Sequence, residues 1–210
     1  MTHGTDRSQR HATGGSGQRP DPMLFSSAFG ELGVDPSMLV SWSARSATVG
    51  ASRLAPDRGI ELLQALWSGD KYMGRLAPEA IARLEHFFDF AAVAAGHDVI
   101  QQDEHGNFMI VLLSGSIAVD RRQPWGEQML MAEARPGDIL GEMSLLDSGI
   151  RFAQCTTLEA CQIGVLDAGA LDAMLAGDPE LAASLIALLA RRLSLRLRVV
   201  GARVSGRQLP

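Results

Sequence analysis

Gly141-Glu142-Met143-Ser144-Leu145-Leu146, followed five residues later by Arg151, is the stretch on which the reading of this chain turns. Glycine lets the backbone turn sharply and lets another group come close, because it has no Cβ. If Glu142 opens a short helix, the first amide hydrogens of that helix have no partner within it and its end favours an anion. Arg151 can give such an anion a bidentate, charge-assisted contact, while an ionised Glu142 accepts a hydrogen from a hydroxyl. These groups together suit a sugar that carries a phosphate. Leu145 and Leu146 are expected to point into the core.

Working outward, the chain from Ala91 reads as short apolar segments separated by turn chemistry. The breaks fall at Gly96-His97-Asp98, Asp103-Glu104-His105-Gly106-Asn107, Ser114-Gly115, Gln123-Pro124-Trp125-Gly126 and Arg135-Pro136-Gly137-Asp138. Strands at such regular spacing imply an all-β roll or barrel. Helical period flanks it. Ile60, Leu63, Leu66 and Trp67 predict an amphipathic helix ending at Gly69, and Pro78 with Ile81, Leu84, Phe87 and Phe88 predicts a second to about Phe90. After the strands, Asp178 as N-cap and Pro179 at the first position open a long helix with no breaker before Gly201. Its acids, Asp178 and Glu180, sit at the positive end, and Arg191, Arg192, Arg196 and Arg198 nearer the negative end.

The run from Arg135 through Pro136-Gly137-Asp138-Ile139-Leu140 to Leu146, then Arg151, resembles the phosphate-binding cassette of cyclic-nucleotide-binding domains. These are the sensor modules of catabolite-activator-type (Crp/Fnr) regulators and of cyclic-nucleotide-dependent kinases and channels. Val99-Ile100 and Phe108 to Val119 resemble the early strands of that module, Ala160 to Leu166 its last strand, and Asp178 to Val200 its long C-terminal helix. The resemblance covers roughly residues 76 to 204. It implies a mainly β fold with flanking helices (α+β): a double-stranded β-helix, or jelly-roll β-roll, with a long C-terminal helix. It also implies a ligand, cyclic AMP or cyclic GMP, with a cyclic dinucleotide as a further option. The ligand-binding positions would be Gly141, Glu142, Met143, Ser144, Arg151, Phe152 and Ala153, Glu142 taking the ribose hydroxyl and Arg151 the phosphate. Two positions depart from the pattern. Phe152 stands where a small residue usually follows the arginine, and Ile150 where a proline often precedes it. Losing the neutral hydrogen bond of a hydroxyl at 152 would cost about 0.5–1.5 kcal/mol. For the base, the long helix offers Ser194 or Arg196.

Composition narrows the function classes. Only Cys155 and Cys161 occur, six apart, and read as reduced strand residues; the five histidines lack ligand spacing, so no metal is assigned. The longest apolar run, Leu181 to Ala190, is too short to cross a bilayer, and the polar N-terminus lacks a secretory apolar segment, so a cytoplasmic protein without membrane contact is expected. Residues 76–180 carry five Lys or Arg against 17 acids, a poor surface for nucleic acid, whereas residues 181–210 carry six Arg and no acid. Basic residues on a solvated helix face are commoner than DNA contacts. The ten residues after Val200 are also fewer than a helix-turn-helix needs, so DNA binding is not expected. No nucleophile with a base, paired acids or metal ligands stand at usable spacing, which argues against an enzyme.

The chain therefore divides into a disordered arm (1–22), a poorly defined, partly helical extension (23–75), a cyclic-nucleotide-binding β-roll (76–177), a long C-terminal helix (178–204) and a tail (205–210). On that helix Ile186, Leu189, Leu193, Leu197, Val200 and Val204 form one stripe, and Leu181, Leu185, Leu188, Leu195 and Val199 a neighbouring face. That apolar width exceeds what docking on the roll needs and predicts a homodimer through this helix, the alternative being a helix packed only on Met23 to Trp67 of its own chain. The expected function is a non-enzymatic sensor that couples ligand in the cassette to movement of the C-terminal helix, and so to an effector protein not named by the sequence. The alternatives are a Crp/Fnr-type DNA-binding transcription regulator and an interaction scaffold with a ligand-free pocket.

Overall fold

The computed structural model describes residues 23–70, 74 and 78–205, with side chains through residue 202. The arm expected over 1–22 and the tail beyond Ser205 lie outside the described residues. The centre of the molecule is a roll of two antiparallel sheets. One has the strand order β4 (Asp98–Ile100), β10 (Gln154–Thr157), β7 (Ile117–Arg122), β8 (Gln128–Ala134); the other runs β2 (Ser52–Arg53), β3 (Asp89–Val93), β11 (Cys161–Asp167), β6 (Phe108–Ser114), β9 (Ile139–Leu140). A short parallel pair, β1 (Leu39–Val40) with β5 (His105–Gly106), ties the N-terminal region to the roll.

Strand β6 explains the layering. Its residues Phe108 to Leu113 are an unbroken apolar run and all are buried, the pattern of a strand covered on both faces. Phe108, Ile110 and Leu112 point into the roll, where they meet Val99, Ile100, Ile117, Leu140, Cys155, Ile163 and Val165. Met109, Val111 and Leu113 point the other way, into a helical layer built on Leu63, Trp67, Leu84, Leu171, Leu185 and Leu188. The protein thus has two apolar cores with one strand as their common wall.

Seven helices surround the roll among the described residues: α1 (Leu24–Glu31), α2 (Trp42–Thr48), α3 (Pro56–Ser68), α4 (Pro78–Ala82), α5 (Glu142–Asp147), α6 (Ala168–Gly177) and α7 (Pro179–Ser205). Helix α3 starts earlier than its apolar period shows, with Pro56 in the first turn, and it lies so close to β3 that a Cβ on Gly59 would sit 2.1 Å from the Phe90 ring. The second predicted helix, expected to about Phe90, is α4 continued by a 3-10 turn, Arg83–His86, and ends there because Asp89 and Phe90 already pair in strand β3. Residues 23–54 hold two helices that periodicity alone does not resolve. Helix α1 depends on a distant group: the Asp172 carboxylate accepts the amide hydrogens of Phe25 and Ser26 at 2.9 Å and the Ser26 hydroxyl at 2.6 Å. It acts as an N-terminal cap supplied by α6.

Helix α6 was not read from the sequence, although Asp167 caps it by accepting from the Ala170 amide at 2.8 Å. Helix α7 begins as expected at Pro179, where Asp178 accepts from the Leu181 amide. Arg83 also donates to Asp178 at 2.6 Å and holds that carboxyl below its ordinary value. The docked face of α7 is Leu181, Ala182, Leu185, Leu188 and Leu189. Beyond Leu193 the apolar side chains of Leu195, Leu197, Val199 and Val200 are all exposed.

Candidate functional site

The site is built where β9 ends and α5 begins. Gly141 adopts φ +76°, which an L side chain enters only at about 1–2 kcal/mol, and this turns the chain from β9 into α5. The space is also filled: a Cβ there would lie 2.5 Å from Arg151 Nη1 and 2.9 Å from Ile100 Cδ1. Glu142, Ser144 and Leu145 are buried, Met143 is exposed, and Leu146 packs against the helical core.

Arg151 crosses beneath this turn. It is only 2% exposed, donates from Nη1 to the Gly141 carbonyl at 2.7 Å and from Nη2 to the Phe108 carbonyl at 2.6 Å, and lies 4.6 Å over the Phe108 ring. No carboxylate among the described residues forms an ion pair with it. Its surroundings hold it with neutral oxygens, and burial pulls the guanidinium down from its ordinary value to about 10. A charge so placed is under-compensated, and an anion reaching the α5 end would supply the missing partner. Cys155 lies in the same interior; burial pushes its thiol up to about 12 despite the nearby Arg151 charge.

Glu142, only 4% exposed, is met from above by α7: Arg196 donates from Nη1 to Glu142 Oε1 and reaches the Ile139 carbonyl from Nη2 at 3.4 Å. Arg192, one turn earlier, donates to the Gly137 carbonyl at 2.7 Å and lies 3.6 Å from Asp70. Two arginines of the long helix therefore grip the loop from Gly137 to Glu142. Glu142 Oε2 has no hydrogen-bond partner among the described residues, so the carboxylate retains an acceptor.

Phe152 is turned outward. It is 46% exposed, its ring lies 4.0 Å from the Arg121 guanidinium carbon, and its carbonyl accepts from Arg121. Its bulk is therefore spent on a surface contact beside the cassette, and Ala153 behind it is half-buried. The structure brings Gly141, Glu142, Met143, Ser144, Arg151, Phe152 and Ala153 into one neighbourhood. Of the two proposed base contacts, Arg196 reaches this neighbourhood through Glu142, whereas Ser194 is exposed on α7 and has no hydrogen bond to it. Arg192 and Arg121 were missed as neighbours of the cassette. Their position depends on how α7 and β7 cross it, which no local motif encodes.

Three clefts lie away from the cassette, and the one of about 410 Å³ is lined by Glu61, Gln64, Ala65, Ser68, Pro78 and Ile81. Another of about 390 Å³ is lined by Trp42, Ser46, Arg53, Phe88, Asp89 and Phe90, and a neighbour of about 280 Å³ shares Trp42, Arg53 and Asp89. Both are open grooves between the N-terminal extension and β3, with no buried charge facing them. The cassette, crossed by Arg192 and Arg196 of α7, concentrates the buried charged groups.

Residues 91–178 match the family model for the cyclic nucleotide-binding domain. The chain is 34% identical over 116 residues to the CRP-like cAMP-activated global transcriptional regulator of Mycobacterium tuberculosis, which is 55% of this chain and 52% of that protein. The chain thus spans about half the length of the curated relatives it matches. Among solved structures, a cyclic nucleotide-binding domain from Methylobacillus flagellatus superposes with a TM-score of 0.69 at 24% identity, covering 76% of this chain and 90% of that one. The N-terminal domain of a transcriptional regulator from Streptomyces coelicolor gives 0.55 at 27% identity, covering 62% and 94%. The chain carries a cyclic nucleotide-binding domain homologous to those of Crp-type regulators, with their jelly-roll fold.

Proposed function

We propose that this cyclic nucleotide-binding domain is a non-enzymatic sensor for cyclic AMP or cyclic GMP that couples its ligand to the position of α7. The observation that carries this reading is Arg151: a buried guanidinium held by two carbonyls beside the α5 N-terminus, with no carboxylate among the described residues paired to it. The cyclic phosphate would take the Arg151 charge and the amides of the 141–144 turn, and the ribose hydroxyl would donate to Glu142. Because Arg196 of α7 already holds Glu142, a ligand there changes what the helix is bonded to. Coupling follows if the ligand favours one position of α7 over the other.

Two further parts of the reading rest on α7. Its exposed Leu195, Leu197, Val199 and Val200 support a homodimer through this helix, which would cover them. The output is then a changed dimer or effector interface in the cytoplasm. The described residues hold no helix long and apolar enough to cross a membrane. A second reading, a DNA-binding regulator, is favoured by the relatives, whose names include transcriptional regulators.

Calorimetry with cyclic AMP, cyclic GMP and cyclic di-GMP on the wild type and on Arg151→Ala tests the sensor. Removing a desolvated partner of the phosphate costs about 2–5 kcal/mol, on the order of 30-fold or more in affinity. Equal binding by the variant refutes the role of Arg151, and no heat from any nucleotide refutes the sensor. A gel shift with random and genomic DNA at physiological salt separates sensor from DNA-binding regulator.

A further inference from the structure

The N-terminal extension does more than pack against the roll. Strand β1 pairs in parallel with β5, Leu39 beside His105 and Val40 beside Gly106. Three residues on, the Trp42 ring meets the Phe108 ring edge-on, with centroids 5.6 Å apart. Arg45, 4% exposed, forms an ion pair with Glu104, and its Nε is buried without a hydrogen-bond partner. The extension thus grips Glu104, His105, Gly106 and Phe108, one short stretch of backbone.

The same stretch holds Arg151 from the other side. The Arg151 amide donates to the Glu104 carbonyl at 2.7 Å, and the Asp103 amide donates to the Arg151 carbonyl at 2.9 Å. The guanidinium donates to the Phe108 carbonyl and lies over the Phe108 ring. At Gly106 the approach is so close that a Cβ would stand 2.5 Å from Arg151 Nε. Main chain and side chain of Arg151 are therefore both referenced to residues 103–108, a wall one strand thick whose outer side is residues 39–45.

The placement of a buried charge beside an anion site must hold to fractions of an ångström for its contacts to form. Arg45 and Glu104 also stand close enough for their charges to act on Arg151, and burying Arg45 costs desolvation that a single carboxylate offsets only in part. From this we infer that Trp42 and Arg45 are positioning residues for Arg151, so that docking of the segment Leu39–Arg45 and anion affinity are coupled. This rests on the reading of Arg151 as the phosphate contact. Coupling is reciprocal: a ligand that tightens Arg151 against Phe108 also tightens the extension, and a partner that lifts the extension weakens the ligand.

The test uses the full chain with Trp42→Leu, Trp42→Phe, Arg45→Met and, as control, Asp172→Ala, which loosens the same extension at α1 without touching residues 103–108. Cyclic AMP affinity by calorimetry is expected to fall at least tenfold in Trp42→Leu and Arg45→Met, to be largely kept in Trp42→Phe, and to be unchanged in Asp172→Ala. Hydrogen exchange of residues 39–48 is expected to slow when cyclic AMP is added to the wild type. Unchanged affinity in Trp42→Leu and Arg45→Met overturns the inference, as does an equal loss in the control. A readout without ligand keeps the two claims apart: the NMR signal of the Arg151 guanidinium, assigned by Arg151→Lys, is expected to shift in Arg45→Met. If the wild type binds no nucleotide the sensor reading fails, while an unmoved Arg151 signal overturns the positioning role by itself.

Discussion

Gly141→Ala probes the centre of the site with a single methyl group. Two costs separate cleanly. The left-handed backbone at φ +76° costs an alanine about 1–2 kcal/mol. The added Cβ would stand 2.5 Å from Arg151 Nη1, 2.9 Å from Ile100 Cδ1 and 3.2 Å from the Phe108 carbonyl. Ile100 is buried and the carbonyl belongs to β6, so the guanidinium is the group that yields. It then gives up its bond to Gly141, worth about 1.5–3 kcal/mol for a charged donor. The sum is about 2.5–5 kcal/mol, a large part of the stability of an ordinary domain. Urea unfolding followed by circular dichroism is expected to show the midpoint falling by about 1.3–2.5 M, taking a slope near 2 kcal/mol per molar. Gly137→Ala is the matched comparison. Its φ is +95°, yet its Cβ would meet only Leu66 Cδ2 at 3.9 Å, so it should lose the backbone part alone, about 1–2 kcal/mol. Gly177→Ala, in open space at the end of α6, should leave the midpoint unchanged or raise it. Equal losses at 141 and 137 would refute the claim that Arg151 is locked beneath the turn.

Other outcomes follow from separate parts of the molecule. Asp172→Ala removes three hydrogen bonds from the start of α1 and is expected to cost about 2–3 kcal/mol, with new proteolytic cleavage in residues 23–35; an uncleaved variant would refute the capping role. Cys155 and Cys161, both buried with thiol pKa values raised by burial, should react with a thiol reagent at pH 8 only after unfolding. Rapid labelling of the folded protein would contradict the core assignment. Asp178 is held below its ordinary carboxyl value by the hydrogen bond from Arg83. The stabilisation is therefore complete above the unfolded-state value and lost as pH falls through the folded one. Arg83→Gln should flatten the acid side of the stability profile below about pH 4, and an unchanged profile would dismiss that pair.

The roll was legible because its signals are local. Turn residues at Gly96-His97-Asp98, Ser114-Gly115 and Arg135-Pro136-Gly137-Asp138 mark where strands end, and the apolar run of β6 reads as buried from its composition. The cassette was legible for a similar reason, since Gly141, Glu142 and Arg151 lie within one short span. The grip of α7 on it was not. Which arginine of Arg191, Arg192, Arg196 and Arg198 meets Glu142 depends on the rotation of α7, and that is set by the burial of Leu181, Leu185 and Leu188 more than a turn away. Likewise the helices of residues 23–54 are short and have little period of their own. Asp172 starts one and the Arg45–Glu104 pair fixes another, both across long stretches of sequence. The outward turn of Phe152 depends on Arg121, a cross-strand neighbour that only the register of β7 and β10 reveals.

The capping of α1 by Asp172 also has a consequence for synthesis. Helix α1 leaves the ribosome before α6, and the carboxylate that starts it comes 147 residues later. At about 5–20 residues per second, that interval is on the order of ten seconds. Throughout it, Leu24, Phe25 and Phe29 have no finished surface to join. Helix α1 is thus made well before it can settle, and a nascent chain stalled before α6 would leave its apolar residues open to chaperones.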